Sequence, residues 1–249
     1  MLSKSKIQLI TSLAHKKYRD ETGLFVAEGV KLISDLANVF HCKCMVYTPQ
    51  QDNEVLSMQA DEKIAIEEND LRKISTQKSP QGMLGVFRKK TPVEITHDEL
   101  ANQLVLALND IQDPGNLGTI IRIADWFGIK NIICSESTAD AYGAKTVQAT
   151  MGALARVHMH YVNLPAFLSS IKDIPVYGTF LEGKNIYTEI LSTNGIIVMG
   201  NEGNGISLEV SELVTHKLRI PSYPQDVPTS ESLNVAVAAA IVCGEFRRR

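Results

Sequence analysis

Short runs of Val, Ile and Leu recur along the chain, separated by stretches whose apolar residues fall every three or four positions. In the N-terminal part, residues 24–28, 45–48, 64–67 and 83–88 carry the strand pattern. Residues 3–17, 30–39, 54–60 and 70–75 carry the helical one. Further along, strands are predicted at 103–109, 131–134, 157–162, 176–180, 195–200 and 218–220. Helices are predicted at 117–128, 144–155, 164–172, 208–214 and 232–247. Strands alternating with helices predict an α/β fold with parallel sheets covered by helices on both faces.

Composition sharpens this into two halves. The polar stretch after Lys89-Lys90-Thr91-Pro92 marks a boundary, so the chain reads as a domain over residues 1–95 and another over 98–249. With 25 Lys/Arg against 28 Asp/Glu the net charge is −3, which argues against an arginine-rich or histone-like protein. The basic residues are clustered, however. Lys4, Lys6, Lys16, Lys17 and Arg19 precede any acid, and Arg88-Lys89-Lys90 and Arg247-Arg248-Arg249 form two further runs. Such runs read either as a solvated face or as phosphate contacts. No stretch reaches the roughly 18 apolar residues of a membrane span, and no signal-peptide pattern opens the chain. Four scattered cysteines then predict reduced thiols in a cytoplasmic protein. Cys42-Lys43-Cys44 beside His41 lacks the spacing and the second pair of a zinc site, so no metal is expected. His158 and His160 read as ordinary sheet residues and Trp126 as core. No Gly-x-Ser-x-Gly or His-Glu-x-x-His motif supports a hydrolase.

Three segments of the second half place glycine and polar residues where strands end. The first, Asn109-Asp110-Ile111-Gln112-Asp113-Pro114-Gly115-Asn116, turns from a strand into a helix that Asn116 is placed to cap. Arg122 follows in the apolar run 120–123, as a functional guanidinium or as a structural one bonding loop carbonyls. The second, Gly200-Asn201-Glu202-Gly203-Asn204-Gly205, is neither a phosphate loop nor a dinucleotide fingerprint. Glycines there let a ligand approach the backbone, and an ordinary turn has no need of Glu202. The third joins Ile220-Pro221 to Ser230-Glu231-Ser232-Leu233-Asn234, where Ser230 or Ser232 is a candidate cap for the last helix.

In combination these segments resemble the three motifs of the SpoU (TrmH-type) RNA 2′-O-ribose methyltransferases, within the SPOUT superfamily. The matches are Asn116-Leu117-Gly118-Thr119-Ile120-Ile121-Arg122, Gly200-Asn201-Glu202-Gly203-Asn204-Gly205, and Ile220-Pro221 with Ser232-Leu233-Asn234-Val235-Ala236. Lys16-Lys17-Tyr18-Arg19, Phe25-Val26-Ala27-Glu28-Gly29 and Ser79-Pro80-Gln81-Gly82 resemble that family's ribosomal-protein-like substrate-binding domain. The stretch between Ile220 and Ser232 departs from the family by being longer and lacking a glycine.

The resemblance implies a C-terminal deep trefoil knot, with the segment from about residue 221 threaded through a preceding loop, and a homodimer packed through the knots. It implies S-adenosylmethionine held near Gly200, Asn201, Gly203, Ile220 and Leu233. It also implies methyl transfer to a ribose 2′-hydroxyl, most readily of ribosomal RNA, with transfer RNA as the other substrate. Arg122, Asn116, Glu202, Ser232 and Asn234 would be the catalytic set, Arg122 serving as base or as phosphate clamp. Lys16, Lys17, Arg19, Arg88 and Lys89 would contact RNA. A catalytically silent RNA-binding dimer is the rival from another class, and the intact motif set favours the enzyme.

Overall fold

The computed structural model describes residues 2–91, 93–224 and 232–248. The chain divides into two compact units, one comprising Met1–Thr91 with Asp140–Ala155, the other Pro92–Ala139 with Arg156–Arg249.

The first unit opens with α1 (Lys4–Ser12), α2 (Lys16–Thr22), β1 (Leu24–Glu28), α3 (Val30–Ala37), β2 (Cys42–Tyr47) and α4 (Asp52–Leu56). It continues with β3 (Lys63–Ala65), α5 (Glu68–Ile74) and β4 (Met83–Arg88). Its sheet runs β1-β4-β2-β3, and only the β2–β3 pair is parallel. The expectation of parallel sheets therefore fails for this unit, because β4 inserts antiparallel between β1 and β2. The single helix predicted at 3–17 is broken at residues 13–15. Arg19, buried on α2, donates from Nη1 to the carbonyls of Leu13 (2.7 Å) and Ala14 (2.9 Å) that the break leaves without helical partners.

The second unit contains α6 (His97–Asn102), β5 (Leu104–Leu108), α7 (Pro114–Trp126) and β6 (Asn131–Ser135). After the segment that contributes α8 (Ala144–Thr150) to the first unit come β7 (His158–Val162), α9 (Leu164–Ser170), β8 (Val176–Asn185), β9 (Gly195–Met199), α10 (Leu208–Ser211), β10 (His216–Arg219) and α11 (Val235–Arg248). Its sheet is parallel throughout, in the order β10-β8-β9-β5-β6-β7. The central strands β5, β6 and β9 are buried at every position, which explains their largely apolar sequences, whereas the edge strands β7 and β10 are partly exposed.

Asp140–Ala155 falls within residues 98–249 of the sequence division yet packs with the first unit. The reason is long-range. Asp140 pairs with Arg19 at 2.7 Å, and Tyr142 packs against Phe25 with ring centroids 4.9 Å apart. The threading implied from residue 221 onward involves residues 225–231, which lie outside the described residues, as do Ser230 and Arg249.

Candidate active site

The site is built where β5 and β9 end. These strands are parallel neighbours with Leu108 in register with Met199, so the loops that follow start side by side. The Asn109 N–H donates to the Met199 carbonyl at 2.9 Å, and the Asn109 side chain accepts from the Ser207 N–H at 2.8 Å.

Helix α7 starts earlier than predicted. Pro114 occupies its first turn, and Asp113, rather than Asn116, is the cap, accepting from the Asn116 N–H at 2.8 Å. That frees the Asn116 side chain. Its Nδ2 donates to Glu202 Oε1 at 3.0 Å, and its Oδ1 accepts from Asn234 Nδ2 at 3.0 Å. Three residues from three separate segments thus form one hydrogen-bonded chain. Glu202 also accepts from the N–H groups of Gln112 and Asp113, both at 3.3 Å. Partial burial pushes its carboxyl pKa up, but the bonds from Asn116 and the loop amides outweigh that and leave it below the usual carboxylate value. The carboxylate is held ionised.

Asn234 has a second duty. Its Oδ1 accepts from the N–H groups of Ala236 (2.9 Å) and Val237 (3.3 Å), so Asn234, rather than Ser232, caps α11. Ser232 is exposed and makes no hydrogen bond among the described residues.

Arg122 lies six residues beyond Asn116 on α7. The buried stripe of this helix is Leu117, Gly118, Ile120, Ile121 and Ala124. At about 100° per residue, Arg122 and Trp126 project away from that stripe, about 40° apart. Arg122 is exposed, with no hydrogen bond or ion pair among the described residues, so its place in an apolar run does not bury it. Trp126, expected in the core, is 84% exposed for the same reason.

The glycine loop is shaped from within. A Cβ on Gly200 would lie 2.3 Å from the Gly205 carbonyl carbon and 2.4 Å from the Ile206 nitrogen, so the loop's own backbone, and not a ligand, requires glycine here. Asn201 braces the turn, its Oδ1 accepting from Gly203 N–H (2.9 Å) and Asn204 N–H (3.0 Å) and its Nδ2 donating to the Asp110 carbonyl (2.7 Å). Gly203 is exposed, Ile220 half-buried at the end of β10, and Leu233 47% exposed.

The basic candidates separate. Arg19 is 5% exposed and bound to Asp140 and two carbonyls, so it is a structural residue without a free face for phosphate. Lys89 pairs with Asp20 at 2.7 Å and lies over the Tyr142 ring, so it too is engaged. Lys16, Lys17 and Arg88 are exposed. His160, on β7, bonds to the Asn131 side chain at 3.0 Å. Burial pushes the Cys42 thiol up to about 12, and no group of His, Cys, Asp and Glu able to hold a metal occurs among the described residues.

The model of the SpoU rRNA methylase family matches residues 103–244, and that of the MRM3-like substrate-binding domain matches residues 4–85. The chain belongs to the SpoU rRNA methylase family. It is 35% identical over 179 residues to the 23S rRNA (guanosine(2553)-2′-O)-methyltransferase RlmP of Bacillus subtilis, covering 68% of this chain and 71% of that protein. A putative RNA methyltransferase of the TrmH family from Porphyromonas gingivalis superposes with a TM-score of 0.90 at 40% identity, over 100% of this chain and 99% of the other. An AdoMet-bound rRNA methyltransferase from Sinorhizobium meliloti superposes with a TM-score of 0.84 at 30% identity, over 100% and 97%.

Against that family background, this chain's own residues fit S-adenosylmethionine. Leu233 and Ile220 leave apolar side chains accessible to a ligand. The exposed Gly203–Gly205 turn follows the carboxyl end of β9, the side on which parallel α/β sheets take ligands.

Sequence reasoning missed Asp113 and Asp110. The Asp-Pro pair at 113–114 carried the cap signal. Asp110 carried the signal of a residue type that tolerates left-handed backbone.

Proposed function

We propose that the chain methylates a ribose 2′-hydroxyl of ribosomal RNA with S-adenosylmethionine as donor, in the cytoplasm. The observation that carries this reading is the hydrogen-bonded trio Glu202–Asn116–Asn234, of which Asn116 lies on the same helix as Arg122, itself unpaired among the described residues. The residues around Gly203, Ile220 and Leu233 would hold the donor, which brings a methyl group already activated as a sulfonium. The protein's work is then positioning.

The Arg122 guanidinium serves as a bidentate clamp on the phosphate beside the target ribose. Glu202 is ionised and pinned by three donors. It presents a fixed acceptor to the attacking hydroxyl, and Asn116 keeps it in place. The exposed Ser232 hydroxyl, two residues before Asn234, is free to bond the ribose. Lys16, Lys17 and Arg88 supply phosphate contacts from the first unit, and Arg19 and Lys89 leave that set.

A second copy of the chain is the partner we assign to the exposed Trp126 and Val237. They lie on α7 and α11, which pack together. The knot follows from the family reading.

Transfer of labelled methyl groups to ribosomal RNA from cells lacking the gene tests the reading. Arg122→Ala should abolish transfer while leaving S-adenosylmethionine affinity, measured by calorimetry, within about threefold. Retention of most activity refutes the role of Arg122, and binding of RNA without any transfer by the wild-type protein would leave the silent-module reading.

A further inference from the structure

Asp110 follows Asn109 at the end of β5 with a φ of +63°, a left-handed backbone that non-glycine residues adopt rarely and Asp or Asn most readily. Three sets of bonds hold it there. Its Oδ1 accepts from Ser135 Oγ at 2.6 Å and from Ser137 Oγ, its N–H donates to Ser135 Oγ at 2.9 Å, and its carbonyl accepts from Asn201 Nδ2 at 2.7 Å. Ser135 is itself buried and bonded to Thr138 Oγ1 at 2.9 Å, which reaches back to the Leu108 carbonyl. A neighbouring strand end, that of β6, is thereby tied to the turn that follows β5.

The direction of the chain at Asp110 decides what comes next. With its carbonyl turned to Asn201, the following residues place the N–H groups of Gln112 and Asp113 on the Glu202 carboxylate. Asn201 in turn holds the amides of Gly203 and Asn204. The loops 110–113 and 201–205 are therefore joined along their length, and the joint begins at one strained residue.

We propose that Asp110 is a positioning residue for the ribose site: locked by Ser135 and Ser137, it sets Glu202, and through it Asn116 and Asn234, by way of the Asn201 brace. The proposal rests on the methyl-transfer reading, but its structural half can be read without activity. Asp110 acts through its bonds to Ser135, Ser137 and Asn201.

The test compares Asp110→Gly, Asp110→Asn and Ser137→Ala in the full chain. Glycine accepts the backbone but removes the acceptor, whereas asparagine accepts the backbone and keeps an Oδ1. In Asp110→Gly the amides of Gly203 and Asn204 should exchange hydrogen at least about 10-fold faster. Its kcat on ribosomal RNA should fall about 10-fold or more, with KM within about threefold, as loss of orientation without loss of binding requires. Asp110→Asn should stay within about threefold of wild type in both. Ser137→Ala, an exposed position where folding is not at stake, should move exchange in the same direction by less. Wild-type exchange and kcat in Asp110→Gly, or Asp110→Asn as impaired as Asp110→Gly, overturns the proposal. Absence of any methyl transfer by the wild-type protein would instead refute the reaction, while the exchange comparison still decides the lock.

Discussion

Replacing Arg19 by Ala separates a structural role from an RNA-contacting one. The guanidinium is 5% exposed and its Asp140 partner 13%, with Nη2 2.7 Å from the carboxylate and Nε donating to it at 2.9 Å. Removal leaves a shielded carboxylate without its counter-charge and the Leu13 and Ala14 carbonyls without donors. Breaking a buried pair by deleting one partner costs about 3–5 kcal/mol. The 13% exposure of Asp140 admits some water, so the lower end, about 3 kcal/mol, is expected. For a unit of this size that corresponds to a fall in melting temperature of about 10 °C or more. Arg19→Lys should recover little, because an ammonium cannot reproduce the fork that serves a carboxylate and two carbonyls together. Lys16→Ala and Lys17→Ala, on the exposed face of the same helix, should stay within about 0.5 kcal/mol. Circular-dichroism melting, with hydrogen exchange of β1 to localise the loss to the first unit, makes the measurement. An Arg19→Ala protein that melts with wild type but binds RNA weakly would refute this reasoning and restore the phosphate contact.

Gly200→Ala should unfold the glycine turn, since its Cβ meets backbone at 2.3 Å, and weaken S-adenosylmethionine binding by about 10-fold or more in calorimetry. Gly203→Ala, whose Cβ meets only the Asn201 side chain at 3.6 Å, should bind within about threefold of wild type, and equal loss in both variants would contradict the loop-closure argument. Glu202 is held below its ordinary value of 4.5, so its contribution to stability is complete above that pH and is lost as pH falls through the lowered value. Carbon-detected NMR titration of the carboxyl should place the wild-type midpoint below 4.5 and move it upward in Asn116→Ala; an unmoved midpoint would show that Asn116 does not hold the charge.

The segments that the structure joins through Asn116, Glu202 and Asn234 stood out in the sequence, because their turn and glycine chemistry is local. The strands β1 and β4 were readable to the residue, and β5, β6 and β9 nearly so, because near-complete burial writes a mostly apolar run. What the sequence left open depended on partners far along the chain. Arg19 looks like part of a basic patch until Asp140, 121 residues away, closes on it, and that same contact carries α8 into the first unit. Trp126 belongs to an apolar stretch, yet the helical period turns it away from the stripe that Leu117 and Ile121 bury. Asn116 and Asn234 are both natural helix caps. Tertiary structure decided that Asp113 takes one duty, Asn234 the other, and Asn116 neither, because a side chain 86 residues downstream on Glu202 claims it. Local pattern reports each residue's own backbone and burial, whereas the identity of a hydrogen-bond or charge partner is settled only when the chain brings distant segments within about 3 Å.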